Sequence, residues 1–447
     1  MTLAEIIPSL RSSLPRRLEP GLWPSAAHHL PGGDVSVGGA SLVEVAARYG
    51  TPAVVVDVAE FRGRCAGLRR VFGDIDICHS GGMLLAADTA SVVQEQGLRL
   101  GIYCEAQLAT TVAAAFPADR LVVYGDAGRT SLLRAMSIGA GQIVLASMGE
   151  IEVAARLGNP SRPQPVSLSI GTGTVDGVSD LSTHRRASRG FSIDSGEAAE
   201  AVRRILASPG LRLVGVQCRV DAPFATVAPY EQAGREGLEF VRAMRDENRV
   251  ELSELHLGGG HNTPVQPGDD RSASCEVAAR LRRGIAQVCT ELLLPAPHVT
   301  IEPGRSLAGP AALTICRVLA VRRFGERTIV EVDARTGGVA TAARQHAARA
   351  AHLLSRLSPS PDVHVEVIAS GSLGANSTRG VLVRDTLLPA DIAEGDLLAV
   401  PSIGDTGGFA LAHRLPCPAL VAVADNRSWS LAAHRGAQDA QRRRRVS

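Results

Sequence analysis

The chain contains no lysine, and all 47 of its basic residues are arginine. A bias toward GC-rich codons, which also favours Ala, Gly and Arg, can remove surface lysines. Such a bias does not normally remove a lysine that forms a covalent bond in catalysis, because arginine cannot take over that role. The composition therefore excludes any mechanism in which a lysine amine of this chain is the nucleophile.

Other features are missing as well. No apolar run reaches the roughly 18 residues of a membrane-spanning helix, and the first residues do not resemble a secretory signal. The eight Cys show no CxxC spacing, which argues against a zinc site and a disulfide framework. His28, His29 and His261 have no acid or Cys at ligand spacing, so we predict no metal. We expect a cytoplasmic protein with reduced thiols.

Basic and acidic residues nearly balance, with a net charge of +2, and the sequence shows no concentration of positive charge of the kind that binds nucleic acid. The exception is the basic run from Arg442 to Arg445, within a tail (431–447) that we predict to be disordered. We therefore expect neither nucleic acid nor a membrane as a partner.

From residue 51 onward, short β-branched runs alternate with longer amphipathic stretches, which is typical of βα units around a parallel sheet. Roughly eight or nine such units over about 260 residues favour a closed (β/α)8 TIM-type barrel over an open sheet. The predicted strands are 52–56, 76–80, 98–104, 121–125, 142–147, 166–170, 211–220, 254–257 and 299–302, and the clearest helices are 196–208, 231–248 and 273–294.

After residue 305 the pattern changes to strands separated by turns, which predicts a C-terminal antiparallel β domain. Residues 33–39 are expected to add a strand to it, and 341–357 form its single predicted helix. The expected division is an N-terminal segment (1–45), the barrel (46–307), the β domain (308–430) and the tail (431–447). The predicted strands of the β domain are 313–322, 328–332, 364–369, 380–383, 396–400 and 419–423.

Six segments, between about residues 42 and 425, resemble in order those of one protein family. They are 49–52 (YGTP), 188–191 (SRGF), 213–216 (LVGV), 257–260 (LGGG), 302–305 (EPGR), and 381–385 (VLVRD) with 395–398 (GDLL). The family is that of the diaminopimelate, ornithine and arginine decarboxylases, which bind pyridoxal 5'-phosphate. The resemblance implies an alanine racemase-like barrel, a head-to-tail dimer and an amino-acid-like ligand.

Part of the family's cofactor site is retained. The resemblance implies that Gly258, Gly259 and Gly260 approach the phosphate, that Glu302 faces the pyridine nitrogen, and that Arg305 lies near the phosphate or substrate. Two other interpretations stay open. The glycines also suit a tight turn without a ligand, and Glu302 and Arg305 also suit a buried salt bridge inherited with the fold.

The departures concern the chemistry itself. By resemblance, Gly81 stands at the position of the lysine that forms the Schiff base, and Arg219 replaces the His that stacks on the cofactor ring. Two phosphate hydroxyls and the catalytic Cys are changed too. The corresponding positions are Ala222 for the phosphate-binding Ser, Thr406 for the Tyr, and Asn376 and Ser377 for the Cys-Glu pair.

The resemblance thus predicts that the cofactor can bind only noncovalently and that the family's lysine-dependent reaction does not occur. One hypothesis is a silent partner, as a homodimer or as a heterodimer with an active relative. Another is altered chemistry on an amino-acid-like or phosphorylated ligand, with Arg219, His79, Asp221 and Glu302 lining the barrel mouth. Arg219 could instead simply pair with Asp221 or Glu302. The third is decarboxylation with noncovalent cofactor and an external amine.

Overall fold

The computed structural model describes residues 17–82, 84–171, 190–220, 227–258, 273–325, 327–335, 350–370, 380–401 and 418–431, without the side chains of residues 126, 273, 305 and 335. Seven of the predicted site residues lie outside these ranges. They are Asp221, Ala222, Gly259, Gly260, Asn376, Ser377 and Thr406. His261 and the predicted tail also lie outside them.

Eight parallel strands close into a barrel, since the first and last strands of the row pair with each other. Each of these strands is a short, largely apolar run. The side chains that point out of the barrel pack under helices, which favours apolar residues there. The predicted closed barrel is therefore confirmed. Its strands are β5 (Asp76–Ser80), β6 (Arg99–Ile102), β7 (Leu121–Tyr124), β8 (Gln142–Leu145), β9 (Gln164–Gly171), β11 (Leu211–Arg219), β12 (Glu254–Gly258) and β13 (His298–Glu302), and a short β10 (Phe191–Ser192) extends the pairing of β9.

Helices follow the barrel strands and bury their apolar faces against them. The three helices predicted most clearly are found within a few residues of their expected ends. Within the described residues no helix has the length and apolar character needed to cross a membrane. The helices are α1 (Leu42–Tyr49), α2 (Val58–Phe72), α3 (Ala87–Glu95), α4 (Glu105–Ala113), α5 (Arg129–Ile138), α6 (Met148–Leu157), α7 (Glu197–Leu206), α8 (Ala228–Asn248), α9 (Ala273–Glu291) and α10 (Arg305–Ala308).

Strand alternation separates the residues inside the barrel from those under the helices. On β5, the buried Cys78 belongs to an interior cluster with Val122, Tyr124 and Val144. Its neighbour His79 points outward instead and meets Phe61 of α2 edge to face, with ring centroids 5.3 Å apart. The expectation that His79 lines the barrel mouth is therefore wrong.

The second sheet is the predicted β domain, and all six of its predicted strands are found. Its strands are β4 (Ala53–Asp57), β14 (Ala312–Phe324), β15 (Arg327–Arg335), β16 (His352–Leu353), β17 (Asp362–Ser370), β18 (Val381–Pro389), β19 (Leu397–Pro401), β20 (Ala419–Ala424) and β21 (Arg427–Ser430). Two parallel pairings, β15 with β17 and β4 with β20, make this sheet mixed rather than purely antiparallel.

Three expectations about strands and helices need correction. Strand β4, expected to open the barrel, lies between β14 and β20 in the second sheet. Strand β2 (Val35–Val37) pairs with β1 (His28–His29) and β3 (Ala40–Ser41) in a separate three-stranded sheet, so it packs against the β domain without joining it. The predicted helix 341–357 is wrong in its described part, because β16 falls inside it.

Candidate ligand site at the barrel mouth

Glu302 is the last residue of β13 and lies at the carboxyl end of the barrel, where barrel enzymes place their ligands. Its side chain is buried, with 6% of its surface exposed. Tyr124, the last residue of β7, donates a hydrogen bond from its hydroxyl to Glu302 Oε2 at 2.7 Å. His256 of β12 lies nearby, with its Nε2 atom 3.8 Å from the same oxygen, which is too far for a hydrogen bond.

Burial makes Glu302 and His256 uncharged at neutral pH. It raises the pKa of Glu302 to about 8, because the carboxylate would be desolvated. Burial first, and the positive charge of Arg99 second, lower the pKa of His256 to about 3. The two side chains therefore form no ion pair at pH 7, although they are close together.

Three buried polar atoms of these residues have no hydrogen-bond partner among the described residues. They are Glu302 Oε1 and both ring nitrogens of His256. Leaving a buried polar group unpaired costs about 1–3 kcal/mol, so native proteins seldom keep several together without a ligand or an ordered water. This cluster is the observation that most directly indicates a binding site.

From Glu302 on β13, the site extends to the neighbouring strands β12 and β11. In the strand register, Gly258 of β12 is the direct neighbour of Glu302 on one side and of Arg219, the last residue of β11, on the other. A Cβ atom at Gly258 would lie 2.6 Å from Gln217 Nε2 and 3.1 Å from Glu302 Oε2. The missing side chain thus lets the Gln217 amide and the Glu302 carboxyl group pack closely against the backbone of Gly258.

The Gln217 amide is oriented by a neighbouring strand. Ser169 of β9 donates a hydrogen bond from Oγ to Gln217 Oε1 at 2.7 Å. Because the amide oxygen is engaged in this way, the Gln217 amide nitrogen is the atom that faces Gly258. Sequence reasoning had assigned Gln217 no role.

Two aromatic side chains form the opposite wall. The rings of Tyr103 and Tyr124 stack with centroids 4.5 Å apart and an angle of 14° between the ring planes. Gly101 precedes Tyr103 by two residues, and a Cβ atom there would lie 3.0 Å from Glu302 Oε1. The absent side chain at Gly101 lets the unpaired oxygen lie close to the backbone of β6.

The assignment of Gly81 to the lysine position stays a prediction, and the local geometry favours its neighbour. A Cβ atom at Gly81 would collide with the carbonyl oxygen of Gly101, a backbone atom. A Cβ atom at Gly82 would meet only Ser80 Oγ, at 3.5 Å. By alternation Ser80 shares the interior side of β5 with Cys78, and Gly82 lies in the turn that follows, next to Ser80 Oγ.

The structure brings together three of the predicted site residues, Gly258, Glu302 and Arg219, and shows the backbone of Arg305 at the start of α10. Sequence reasoning missed Tyr103, Tyr124 and His256. A signal was available, because each occupies an inward-facing position on or just after a predicted strand. What the sequence could not indicate was that they meet at Glu302.

The described residues fit the cofactor of the resembled family only in part. The unpaired Glu302 Oε1 is suited to a ring nitrogen. The Schiff base has no counterpart, because the chain has no lysine. The site therefore does not fit pyridoxal phosphate in its covalently attached form.

Comparison with known proteins supports the same family. Residues 58–309 match the family model described as "Pyridoxal-dependent decarboxylase, pyridoxal binding domain". The diaminopimelate decarboxylase of Actinosynnema pretiosum subsp. auranticum is 33% identical over 419 residues, 90% of each chain. That of Mycobacterium bovis is 31% identical over 402 residues, which is 87% of this chain and 89% of the relative.

Solved structures support the fold. The diaminopimelate decarboxylase from M. jannaschii, in co-complex with L-lysine, superposes with a TM-score of 0.75 at 17% identity, covering 91% of this chain and 95% of that one. The Vibrio vulnificus lysine/ornithine decarboxylase, complexed with putrescine, has a TM-score of 0.66 at 17% identity, covering 86% and 97%. The matched family model, the sequence relatives and the barrel with its β domain agree, and this chain belongs to the pyridoxal-dependent decarboxylase family.

Proposed function

We propose that this protein is a diaminopimelate decarboxylase-like protein that binds a small ligand at the barrel mouth without carrying out lysine-dependent decarboxylation. The observation that carries the proposal is the absence of lysine from all 447 residues. The family reaction requires an amine of the enzyme to hold and exchange the cofactor aldehyde, and a guanidinium cannot do so.

The polar residues at the end of β13 and on β12 favour a ligand-binding role over a purely structural role inherited with the fold. Glu302 and His256 keep unpaired polar atoms in a buried position, at a cost in folding free energy. A protein that had lost its ligand could relieve this cost by replacing either residue with an apolar one. A small ligand that supplies hydrogen-bond partners would offset it instead.

The roles of the side chains follow from their charge states. At neutral pH Glu302 is a carboxylic acid that can donate a hydrogen bond, and Tyr124 orients it through Oε2. His256 is a neutral ring, and Arg219 contributes a positive charge at the strand end. Pyridoxal phosphate, when bound in this family, supplies an electron sink, and here it could be held only noncovalently, beside Glu302 and Gly258.

Two further parts of the proposal concern partners and location. We propose pairing through the family's dimer surface, either with a second copy or with an active relative that the silent chain would regulate. We also keep the cytoplasmic location as a proposal; the seven cysteines within the described ranges are free thiols. Size-exclusion chromatography with light scattering, alone and after mixing with an active relative, tests the pairing.

The central test uses the purified full-length protein with the M. bovis relative as a positive control. Each is incubated with pyridoxal phosphate, reduced with borohydride and weighed by intact mass spectrometry. Release of CO₂ is measured with diaminopimelate, ornithine, arginine and lysine. We expect no interior pyridoxyl adduct and no release above the cofactor-only control, and efficient turnover of any substrate would overturn the proposal.

One observation favours a second candidate, an enzyme with altered chemistry. A buried carboxyl group with a pKa of about 8 at the carboxyl end of a barrel strand is suited to general acid or base catalysis at neutral pH. Exchange of the Cα proton of amino acids in D₂O, followed by NMR without added cofactor, tests this function. The E302Q variant is the control, because an amide cannot exchange the proton.

A further inference from the structure

A cavity of ligand size lies on the outer side of the barrel, along helix α2. It has a volume of about 600 Å³, and its other walls include Ser25 of the N-terminal segment, Ser274 of α9 and Ser306 of α10. Small-molecule sites usually have about 300–1,000 Å³, whereas one water takes up about 30 Å³. The cavity is therefore large enough for a small organic molecule.

One end of this cavity has more carboxyl groups than cations. Asp57, the N-cap residue of α2, is 1% exposed and forms no ion pair within the described residues. The second acid, Glu60, pairs with the Arg64 guanidinium at 3.2 Å. Burial raises the pKa of Asp57 and the charge of Glu60 raises it further, although backbone N–H groups counteract both. The buried Asp57 carboxylate therefore lacks a balancing cation.

The remaining charged group of the cavity lies too far away to balance Asp57. Arg70 is about 20 Å from Asp57 along the helix axis, at a rise of about 1.5 Å per residue. A helix N-terminus by itself favours anions, but Asp57 already serves the N-terminus of α2, since Glu60 N donates to its Oδ1 atom at 2.9 Å. The charge left over at this end is negative and favours a cation.

Ser306 gives an independent indication of a ligand at the same end. Its backbone oxygen accepts a hydrogen bond from Arg64 Nε at 2.9 Å, which places it beside the pair of Arg64 and Glu60. The residue is 6% exposed, and its Oγ atom is buried without a hydrogen-bond partner in the part of the chain that the structure describes. Buried hydroxyls are usually paired with protein, water or a ligand.

The cavity is apolar along the middle of α2. Gly63, Gly67, Leu68 and Val71 line it there. A Cβ atom at either glycine would meet no atom outside the helix backbone within 4 Å. Glycine weakens a helix interior, so helix propensity does not account for two glycines on one face. The open apolar surface beyond Asp57 is suited to an alkyl chain.

We infer that this cavity binds the ammonium group of a small aliphatic primary amine, with Asp57 and the Ser306 hydroxyl as its acceptors. A primary ammonium group has three N–H donors and one positive charge, which match the unbalanced carboxylate and the unpaired hydroxyl. Its alkyl chain lies over Gly63, toward Gly67. The site is separate from the barrel mouth and does not depend on the ligand proposed there.

The test compares three probes that share a five-carbon chain and differ in the end group: n-pentylamine, 1-pentanol and pentanoate. Each is titrated at pH 7 into the full-length protein without added cofactor, and binding is followed by ligand-observed NMR. We expect n-pentylamine, which is protonated at this pH, to bind about tenfold or more tightly than 1-pentanol, because a charge-assisted hydrogen bond is gained. We expect pentanoate not to bind.

Three outcomes with the wild-type protein would overturn the inference. They are absence of n-pentylamine binding, equal affinity for 1-pentanol, and binding of pentanoate. Equal affinity for 1-pentanol would mean that only the alkyl chain is recognised. Because the cavity lies outside the mouth, none of these outcomes changes the proposed lack of lysine chemistry, and CO₂ release would not contradict the amine site.

Substitutions at the charged end assign the binding to the cavity. D57N removes the charge and keeps a good N-cap residue, so we expect a folded protein that binds n-pentylamine about tenfold or more weakly. D74N is the matched control, because Asp74 is exposed beyond the other end of α2 and does not line the cavity. S306A should weaken binding about threefold, since one neutral acceptor is lost.

G63L tests the place of the alkyl chain. A helical Leu side chain leans toward the helix N-terminus, here toward Asp57, and would fill the open space over the helix. Leu has a higher helix propensity than Gly, so we expect G63L to stay folded and to lose n-pentylamine binding. R62L adds the same side chain at the adjacent exposed position, outside the cavity, and should leave binding unchanged.

Unchanged binding in G63L, or equal weakening by D57N and D74N, would contradict the assignment to this cavity. Thermal unfolding of each variant shows whether it is folded. The comparison of the three probes on the wild-type protein needs no variant.

Discussion

The two sides of the barrel mouth differ in the side chains that they hold. On the side of β12 and β13, Gly258 and Glu302 lie in register, and Tyr124 donates a hydrogen bond to the carboxyl group. On the side of β5, where the family forms its Schiff base, two glycines follow the strand. The difference teaches that a buried acid is tied to the fold by its packing and its hydrogen bond, whereas the barrel forms without any lysine at the end of β5.

The largest expected effect comes from returning an amine to the β5 side. In G82K, the new side chain starts next to Ser80 Oγ, so we expect an imine absorbance with pyridoxal phosphate and one pyridoxyl adduct after borohydride, where the wild type gives none. G81K is the matched control. Its Cβ collides with the Gly101 carbonyl, so we expect no adduct and a loss of about 1–3 kcal/mol in stability. An adduct in G81K alone would show that Gly81 is the mouth-facing position.

The next largest effect concerns the dependence of stability on pH that the buried Glu302 causes. The pKa of Glu302 is about 8 in the folded protein and 4.5 in the reference state. The folded state therefore binds the proton more tightly, and this contribution to stability is lost as the pH rises from about 4.5 to 8. We expect the free energy of unfolding of the wild type to fall by the order of a few kcal/mol over this range, and we expect E302Q not to show this fall. Denaturant unfolding of wild type and E302Q at pH 5, 7 and 8.5 is the measurement, and parallel curves would contradict the pKa.

The smallest effect is expected from Y124F, which removes one hydroxyl and keeps the ring stacked on Tyr103. Loss of the hydrogen bond to Glu302 should cost about 1 kcal/mol in stability. Because the hydroxyl favours the ionised carboxylate, its loss should also raise the pKa of Glu302, so that the pH-dependent loss of stability in denaturant unfolding moves to higher pH. Y103F is the control, since no hydrogen bond to Glu302 is assigned to Tyr103; an equal shift there would count against the positioning role.

Much of the fold was predictable because short β-branched runs that alternate with amphipathic stretches indicate βα units. The exception was β4, which is buried throughout like the barrel strands β7 and β8 but lies in the other sheet. A strand buried on both faces looks the same in a parallel barrel and in the centre of a mixed sheet, so its pattern cannot say which sheet it joins. The described part of the predicted helix 341–357 failed because a two-residue strand pairing with β19 replaces it there.

Some residues of the candidate site could be found from the sequence, and others could be found only from the structure. Glu302, Gly258 and Arg219 were found through resemblance to family motifs, which are local in sequence. Tyr124 and His256 have no such motif, and Tyr124 meets Glu302 across 178 positions of sequence. The assignment of the lysine position to Gly81 stays a prediction, because an alignment of short motifs is uncertain by one residue; the space around a Cβ atom favours Gly82.

The sequence by itself determined that no amine on a side chain is available for a Schiff base, since a covalent requirement can be checked residue by residue. It also determined the order of the strands and helices, because burial patterns are local. Only the tertiary structure decided that Glu302 is buried, that it is therefore neutral at pH 7, and that Tyr124 donates a hydrogen bond to one of its carboxyl oxygens. Those properties depend on desolvation and on distances between strands that are far apart in the chain.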